Sequence, residues 1–138
     1  MILASTRVSG ERGYAQRITT GTGHEFASDE PEKRGGTNTG AAPFDLMLSS
    51  LGACTAITMR MYGERKAWQL GTIDVSLRLV KEGDGPLRIE RKISVSEQID
   101  GEQQAKLLEI ADKTPVTRAL APGVPIQTVF ETSTQPAR

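Results

Sequence analysis

The sequence predicts a single α+β domain. Three observations lead there. Strand-like and helix-like segments follow one another in the order strands, loop, helix, hairpin, helix, strand, without βαβ alternation. Apolar residues alternate with period two on both sides of Gly83-Asp84-Gly85-Pro86. An uncharged run from Leu46 to Met59 has the length of a helix and separates the two groups of strands. The 138 residues suit one domain spanning residues 1–138, with no repeat, linker or low-complexity segment to divide it. Aromatics make up only 4%, so the core rests on Leu, Ile, Val, Ala and Met. A core built this way is modest, and a second subunit would help it.

Met1–Val8 and Tyr14–Thr20 read as a strand pair joined by Ser9-Gly10-Glu11-Arg12-Gly13, and His24–Ser28 as a third short strand. A loop rich in Gly, Thr and charge runs from Asp29-Glu30-Pro31 to Gly40. A helix then starts near Pro43, whose missing N–H costs nothing in a first turn. Asp45 follows, at the end of the helix dipole that favours negative charge. From Phe44 to Met59 this helix is apolar or small nearly all round, the pattern of a helix buried on all sides.

Thr72–Lys81 alternates, with Ile73, Val75, Leu77 and Leu79 on one face. The return strand, Leu87–Ile99, turns Leu87, Ile89, Ile93 and Val95 inward, and Arg91 falls in the same phase. A charge in that phase points to an edge, a pocket or a subunit contact. Glu102–Lys113 is predicted to be a helix stopped by Thr114-Pro115, Val116–Leu120 a short helical turn, and Val124–Thr132 a final strand. Residues 133–138 are expected to fray.

Charge and composition exclude several classes of function. Seventeen basic and seventeen acidic side chains give a formal net charge of zero, and each short basic cluster has acidic neighbours. Nucleic acid is therefore not an expected partner, since neutralising phosphates needs a basic patch. The uncharged run is too short to span a bilayer, so no membrane partner is expected. Met1–Arg7 lacks the basic and long apolar regions of a signal peptide, and a lone cysteine cannot build a disulfide framework. A cytoplasmic location follows as the expectation. No Cys/His spacing suggests a metal site, and no motif asks for a cofactor; the Gly35–Gly40 loop lacks the Lys-Ser/Thr ending of a phosphate loop and reads as a plain loop.

Cys54, in the middle of the apolar helix, is the residue on which chemistry would turn. A buried cysteine is commonly a small hydrophobe. A reactive thiolate instead needs a nearby cation or helix N-terminus and access for substrate. Arg12, Arg17, Arg34 and Arg60 are candidate cations. His24, the only histidine, fits a surface or strand edge better than a Cys–His pair. Asp45 lies nine residues before Cys54, on the opposite helix face at about 100° per residue, and reads as a helix-start charge. Met47, Met59 and Met61 fit ordinary core filling better than an adaptable pocket.

Asp29-Glu30-Pro31, Gly35-Gly36-Thr37-Asn38-Thr39-Gly40, Pro43-Phe44-Asp45-Leu46-Met47-Leu48, Leu51-Gly52-Ala53-Cys54-Thr55-Ala56 and Arg60-Met61-Tyr62 together resemble the OsmC/Ohr family, in its broad OsmC-like branch. Ala111-Asp112-Lys113-Thr114-Pro115-Val116 resembles the family's second cysteine segment, usually Cys-Pro-Val. The resemblance implies a two-layer α+β fold with antiparallel sheets around a buried central helix, and an intertwined homodimer with active sites at the subunit interface. It also implies reduction of organic hydroperoxides or hydrogen peroxide by a peroxidatic cysteine, matched by Cys54, beside a thiolate-holding arginine, matched by Arg12. Two departures stand out. Thr114 occupies the resolving position, so the usual internal disulfide gives way to an external thiol reductant. Phe44 stands where the Ohr branch has an acidic residue, with Asp45 one step later, and the resemblance makes Phe44 and Asp45 the expected binding residues beside Cys54. Loss of the second cysteine and the methionine-bearing helix motivate a competing expectation, a non-catalytic relative that binds a small apolar molecule at the dimer interface.

Overall fold

The computed structural model describes residues 1–131. Two antiparallel sheets and one long helix dominate the chain, the second sheet packing on the helix. The first sheet has the order β1-β2-β3, formed by Thr6–Ser9, Gln16–Thr20 and Glu25–Ser28. The second is the hairpin of β4 (Ile73–Val80) and β5 (Arg88–Val95). Between them in sequence runs α1 (Pro43–Lys66), and after them come α2 (Gly101–Ala111) and α3 (Pro115–Leu120). The order agrees with the α+β expectation.

Helix α1 starts as the sequence requires, with Pro43 at the first helical position and Asp45 in the first turn. It ends at Ala67, which takes a left-handed conformation (φ 55°) and donates its N–H to Glu64 O and Gly63 O. Leu51, Thr55, Met59 and Gly63, spaced by four, form its buried stripe. This stripe lies on the β4–β5 hairpin. A Cβ on Gly52 would stand 2.8 Å from Leu77 Cδ1, and one on Gly63 2.7 Å from Leu70 Cδ1, so both glycines permit the close approach. The expectation of a helix buried on all sides therefore holds for one stripe, while Ile57 and Met61 on another face are exposed in the single chain.

The hairpin has the predicted phase. Ile73, Val75, Leu77 and Leu79 pair with Val95, Ile93, Arg91 and Ile89, and all eight are partly covered. The core centres on Met59, Leu70 and Leu107, with Trp68, Ile73, Ile93, Val95 and Ile99 packed against it. Met59, Leu70 and Leu107 each contribute about 1.5–3 kcal/mol by leaving water, and the partly covered neighbours less. Tyr62 meets Trp68 edge-to-face at 5.4 Å between ring centroids. Helix α2 begins with a reciprocal capping box that the sequence reading missed. Asp100 accepts from Gln103 N at 2.7 Å, and Gln103 Oε1 accepts from Asp100 N at 3.0 Å.

The first sheet makes its close contacts within itself and joins the rest through the loop that leads to α1. Val8, Ile18 and Phe26 lie opposite one another across its three strands; only Ile18 is buried. One expectation fails here. Val124–Glu131 carries no strand, and Thr132 and the predicted frayed tail, 133–138, lie outside the described residues. A strand exists by pairing, and among the described residues no strand pairs with this segment; Val124, Ile126, Val129 and Phe130 stand exposed.

The loop between β3 and α1 is not a plain one. The carboxylate of Asp29, 2% exposed, accepts from Glu30 N, Thr37 N, Thr37 Oγ1, Thr39 N and Thr39 Oγ1, all between 2.6 and 3.2 Å. A Cβ on Gly36 would meet Glu30 O at 2.0 Å, so the turn closes only on glycine there. The Thr37 hydroxyl first, then the Thr39 N–H, hold the Asp29 carboxyl well below the usual carboxylate range, against the opposing effect of burial. A carboxyl lowered on folding stabilises the fold in full above its unfolded value, near pH 4, and loses that contribution as pH falls through the folded value. Asp29→Asn is therefore expected to be less stable at neutral pH and to show a shallower loss of stability below about pH 4. Acid unfolding followed by circular dichroism checks this; superimposable curves would contradict it.

Candidate functional site

Cys54 lies three residues, about five-sixths of a turn, after Leu51 and immediately before Thr55 on α1. Its side chain is partly covered, between the sealed stripe and the open face of the helix, and it forms no disulfide. It is thus not a core hydrophobe of the Met59 kind. Thr55, by contrast, is fully buried, and its hydroxyl donates to Leu51 O at 2.7 Å.

Thr55 is the start of a polar network that crosses the interior. Arg91 Nη1 donates to Thr55 Oγ1 at 2.9 Å and to Thr117 Oγ1 at 3.1 Å, and Arg91 Nη2 donates to Asp112 Oδ1 at 3.3 Å. The inward phase of Arg91 is therefore explained by a pocket wall. The Thr117 hydroxyl donates its one proton to Ala111 O at 2.9 Å. The 2.7 Å contact between Thr114 Oγ1 and Thr117 Oγ1 must then run from Thr114 to Thr117. Thr114 Oγ1 also accepts from Thr117 N, which caps α3. The network joins α1, β5, the end of α2 and the start of α3. No buried side-chain nitrogen or oxygen among the described residues lacks a partner. The sequence reading named Arg91 and Thr114 but did not connect them; the signal available was the single charge in the inward phase of β5.

A cavity of about 750 Å³ opens against this network. Phe44, Met47 and Leu51 of α1 form one wall, Leu79, Ile89 and Arg91 the hairpin wall, and Leu108, Thr117 and Leu120 the side of α2 and α3. Phe44 is thus placed at a cavity, but Asp45 is exposed at the helix start and does not line it. Cys54 does not line it either.

The other expected site residues are scattered. Arg12 is exposed in the β1–β2 connection, and among the described residues no hydrogen bond or ion pair holds its side chain. Arg17 pairs with Glu25 at 2.8 Å on the surface. Arg60 Nη2 donates to Gly71 O, and Arg34 is exposed in a single 3-10 turn, Glu32–Arg34. His24 is exposed in the β2–β3 turn, its N–H donating to Thr20 Oγ1 at 3.0 Å. Within one chain, then, no candidate cation is bonded beside Cys54. Among the described residues no helix is long and apolar enough to cross a membrane, and no cluster of three or more His, Cys, Asp or Glu could hold a metal ion.

Comparison with known proteins follows the fold. The sequence model of the family described as "OsmC-like protein" matches residues 36–129. No curated protein matches the chain by sequence. Among solved structures, a Psychrobacter arcticus 273-4 protein, provisionally described as an osmotic stress induced and detoxification response protein, aligns with a TM-score of 0.76 at 17% identity, over 88% of this chain and 91% of the other. An organic hydroperoxide resistance protein OsmC from Legionella pneumophila gives 0.66 at 14% identity, over 88% and 90%. The organic hydroperoxide resistance protein OhrB of Bacillus subtilis gives 0.59 at 23% identity, over 87% and 91%. At these identities the likeness is one of fold.

The Thr114 hydroxyl is the acceptor for the α3 cap and the donor to Thr117. Thr114→Val is expected to cost about 1–2 kcal/mol, and Thr114→Ser much less, because Ser keeps both bonds. Chemical denaturation of the two variants checks it; equal stabilities would remove the hydroxyl from the account.

Proposed function

The chain belongs to the OsmC-like family, and on that premise we propose that it is a thiol peroxidase with one working cysteine, reducing an organic hydroperoxide or hydrogen peroxide at Cys54. A redox-related role agrees with the hydroperoxide resistance proteins that share its fold. The observation that carries the reading is the placement of Cys54. The thiol stands partly open on α1, inside the stretch matched by the family, while its neighbour Thr55 is sealed.

The cycle balances with one external reactant. The Cys54 thiolate attacks a peroxide oxygen, the O–O bond breaks, and the departing alkoxide takes up a proton and leaves as the alcohol. Sulfur is oxidised to the sulfenic acid. An external thiol condenses with it and releases water, giving a mixed disulfide. A second external thiol breaks that bond, restores Cys54 and carries the disulfide away. Thr114 has no part in this cycle. It cannot supply a sulfur, and its hydroxyl is already committed to Thr117. A cytoplasmic setting, rich in small thiols, suits such a scheme.

The same reading makes the protein a homodimer. The single chain leaves Val8 and Phe26 of the first sheet, Ile57 and Met61 of α1, and Val124, Ile126, Val129 and Phe130 exposed, and apolar side chains left open in this way suit a partner surface. Arg12, at the tip of a hairpin that stands off from its own α1, is the arginine proposed to hold the thiolate once two chains combine.

Wild-type protein with excess dithiol is expected to consume an organic hydroperoxide, and Cys54→Ser to fall to the uncatalysed rate. Arg12→Ala is expected to slow both peroxide consumption and alkylation of Cys54 at neutral pH, because a nearby cation favours the reactive form of a cysteine. Peroxide consumption that persists unchanged in Cys54→Ser would defeat the proposal.

A further inference from the structure

The cavity between α1, the β4–β5 hairpin, α2 and α3 is lined without Cys54. Its volume of about 750 Å³ falls within the range of small-molecule sites. Such sites have apolar walls and a few placed polar groups. Phe44, Met47, Leu51, Leu108 and Leu120 supply the walls, and Arg91 the polar group.

Arg91 is short of negative charge. Its side chain is only 14% exposed, yet two of its three bonded partners are neutral hydroxyls. The third, Asp112, is 80% exposed and stands at 3.3 Å, where water screens it. Three bonds use three of the five guanidinium donors. Among the described residues the Nε–H and one N–H of Nη2 are left without a protein acceptor. Because no buried side-chain nitrogen lacks a partner, Nε is open to solvent. A largely buried cation is costly unless an anion pairs with it. A carboxylate matches the guanidinium fork with two parallel bonds. Arg88, also on the wall, is already held by Glu82 and Glu90 at 3.0 Å each.

We propose that this cavity binds an amphipathic monocarboxylate, with the carboxylate on Arg91 and the apolar body against α1, α2 and α3. The site lies within one chain and does not depend on the thiol of Cys54.

Calorimetric titration of the full chain with decanoate and with decanol tests it. Decanoate is expected to bind about tenfold or more tightly than decanol, the difference made by hydrogen bonds to a charged group. Cys54→Ser should show the same preference, which separates this outcome from failure of the peroxidase reading. Arg91→Met is expected to reduce decanoate to the affinity of decanol. The variant should fold, because the Thr55 and Thr117 hydroxyls keep their bonds to Leu51 O and Ala111 O. If it does not fold, Leu108→Trp, at a half-exposed position on the wall, decides: it fills the cavity and should weaken both ligands. Equal affinity for decanoate and decanol in the wild type, no decanoate binding, or decanoate binding untouched by Leu108→Trp would each overturn the proposal.

Discussion

The core of this chain is hung on the contact between one stripe of α1 and the β4–β5 hairpin. Leu51, Thr55, Met59 and Gly63 recur every four residues and so stack on one side of the helix. Gly52 and Gly63 leave room for Leu77 and Leu70 to come close. Once this stripe is seated, the hairpin's inner residues, Leu70 and α2 complete the core around Met59. The same seating decides what is left outside it: Cys54 half covered at the edge of the stripe, and Ile57 and Met61 beyond it.

The stripe contains one polar member, and the polar interior is organised around it. Thr55 satisfies its own proton on Leu51 O and offers its oxygen to Arg91, which reaches on to Thr117 and so to Thr114. A buried network of this kind is stable only when every group is paired, and here every buried one is. Thr114 is the position that resembles the family's second cysteine. A thiol is a weak donor and a weak acceptor, whereas threonine serves as both cap and link at this point. The order it brings reaches the cavity through Thr117, which lines the wall beside Arg91.

Much of the fold was legible in the sequence because it is written in periods. Alternation gave both strands of the hairpin and the phase of Arg91; Pro43 and Asp45 gave the start of α1; Thr114-Pro115 gave the break between α2 and α3. What stayed hidden was written in side-chain bonds between residues of no special pattern. Asp29 organises the loop ahead of α1 through Thr37 and Thr39, and nothing in composition distinguishes that loop from a slack one. The Asp100–Gln103 cap was missed because Asp100-Gly101 also reads as a turn. For the site, the sequence singled out Cys54, Arg91 and Thr114 separately, but their relation depends on how a helix crosses a hairpin, which local pattern does not encode. Asp45 was correctly read as a helix-start charge, and it stands exposed there.

The segment Val124–Thr132 shows the limit of such reading from a different side. Its pattern asks for a strand, and its described part, Val124–Glu131, forms none in one chain. Pattern records what a segment can pair as, not whether a partner lies within reach. Two small sheets of three and two strands both keep free edges, and small open sheets are marginal alone. The proposed homodimer gives the open edges, the exposed faces and the unpaired last segment a common explanation: each chain holds half of a surface that two chains complete. It also bears on the arginine. A hairpin whose close contacts lie within its own sheet can extend to another chain, and the lack of any bond from the Arg12 side chain among the described residues is what an active site built at a subunit interface would leave behind in one chain.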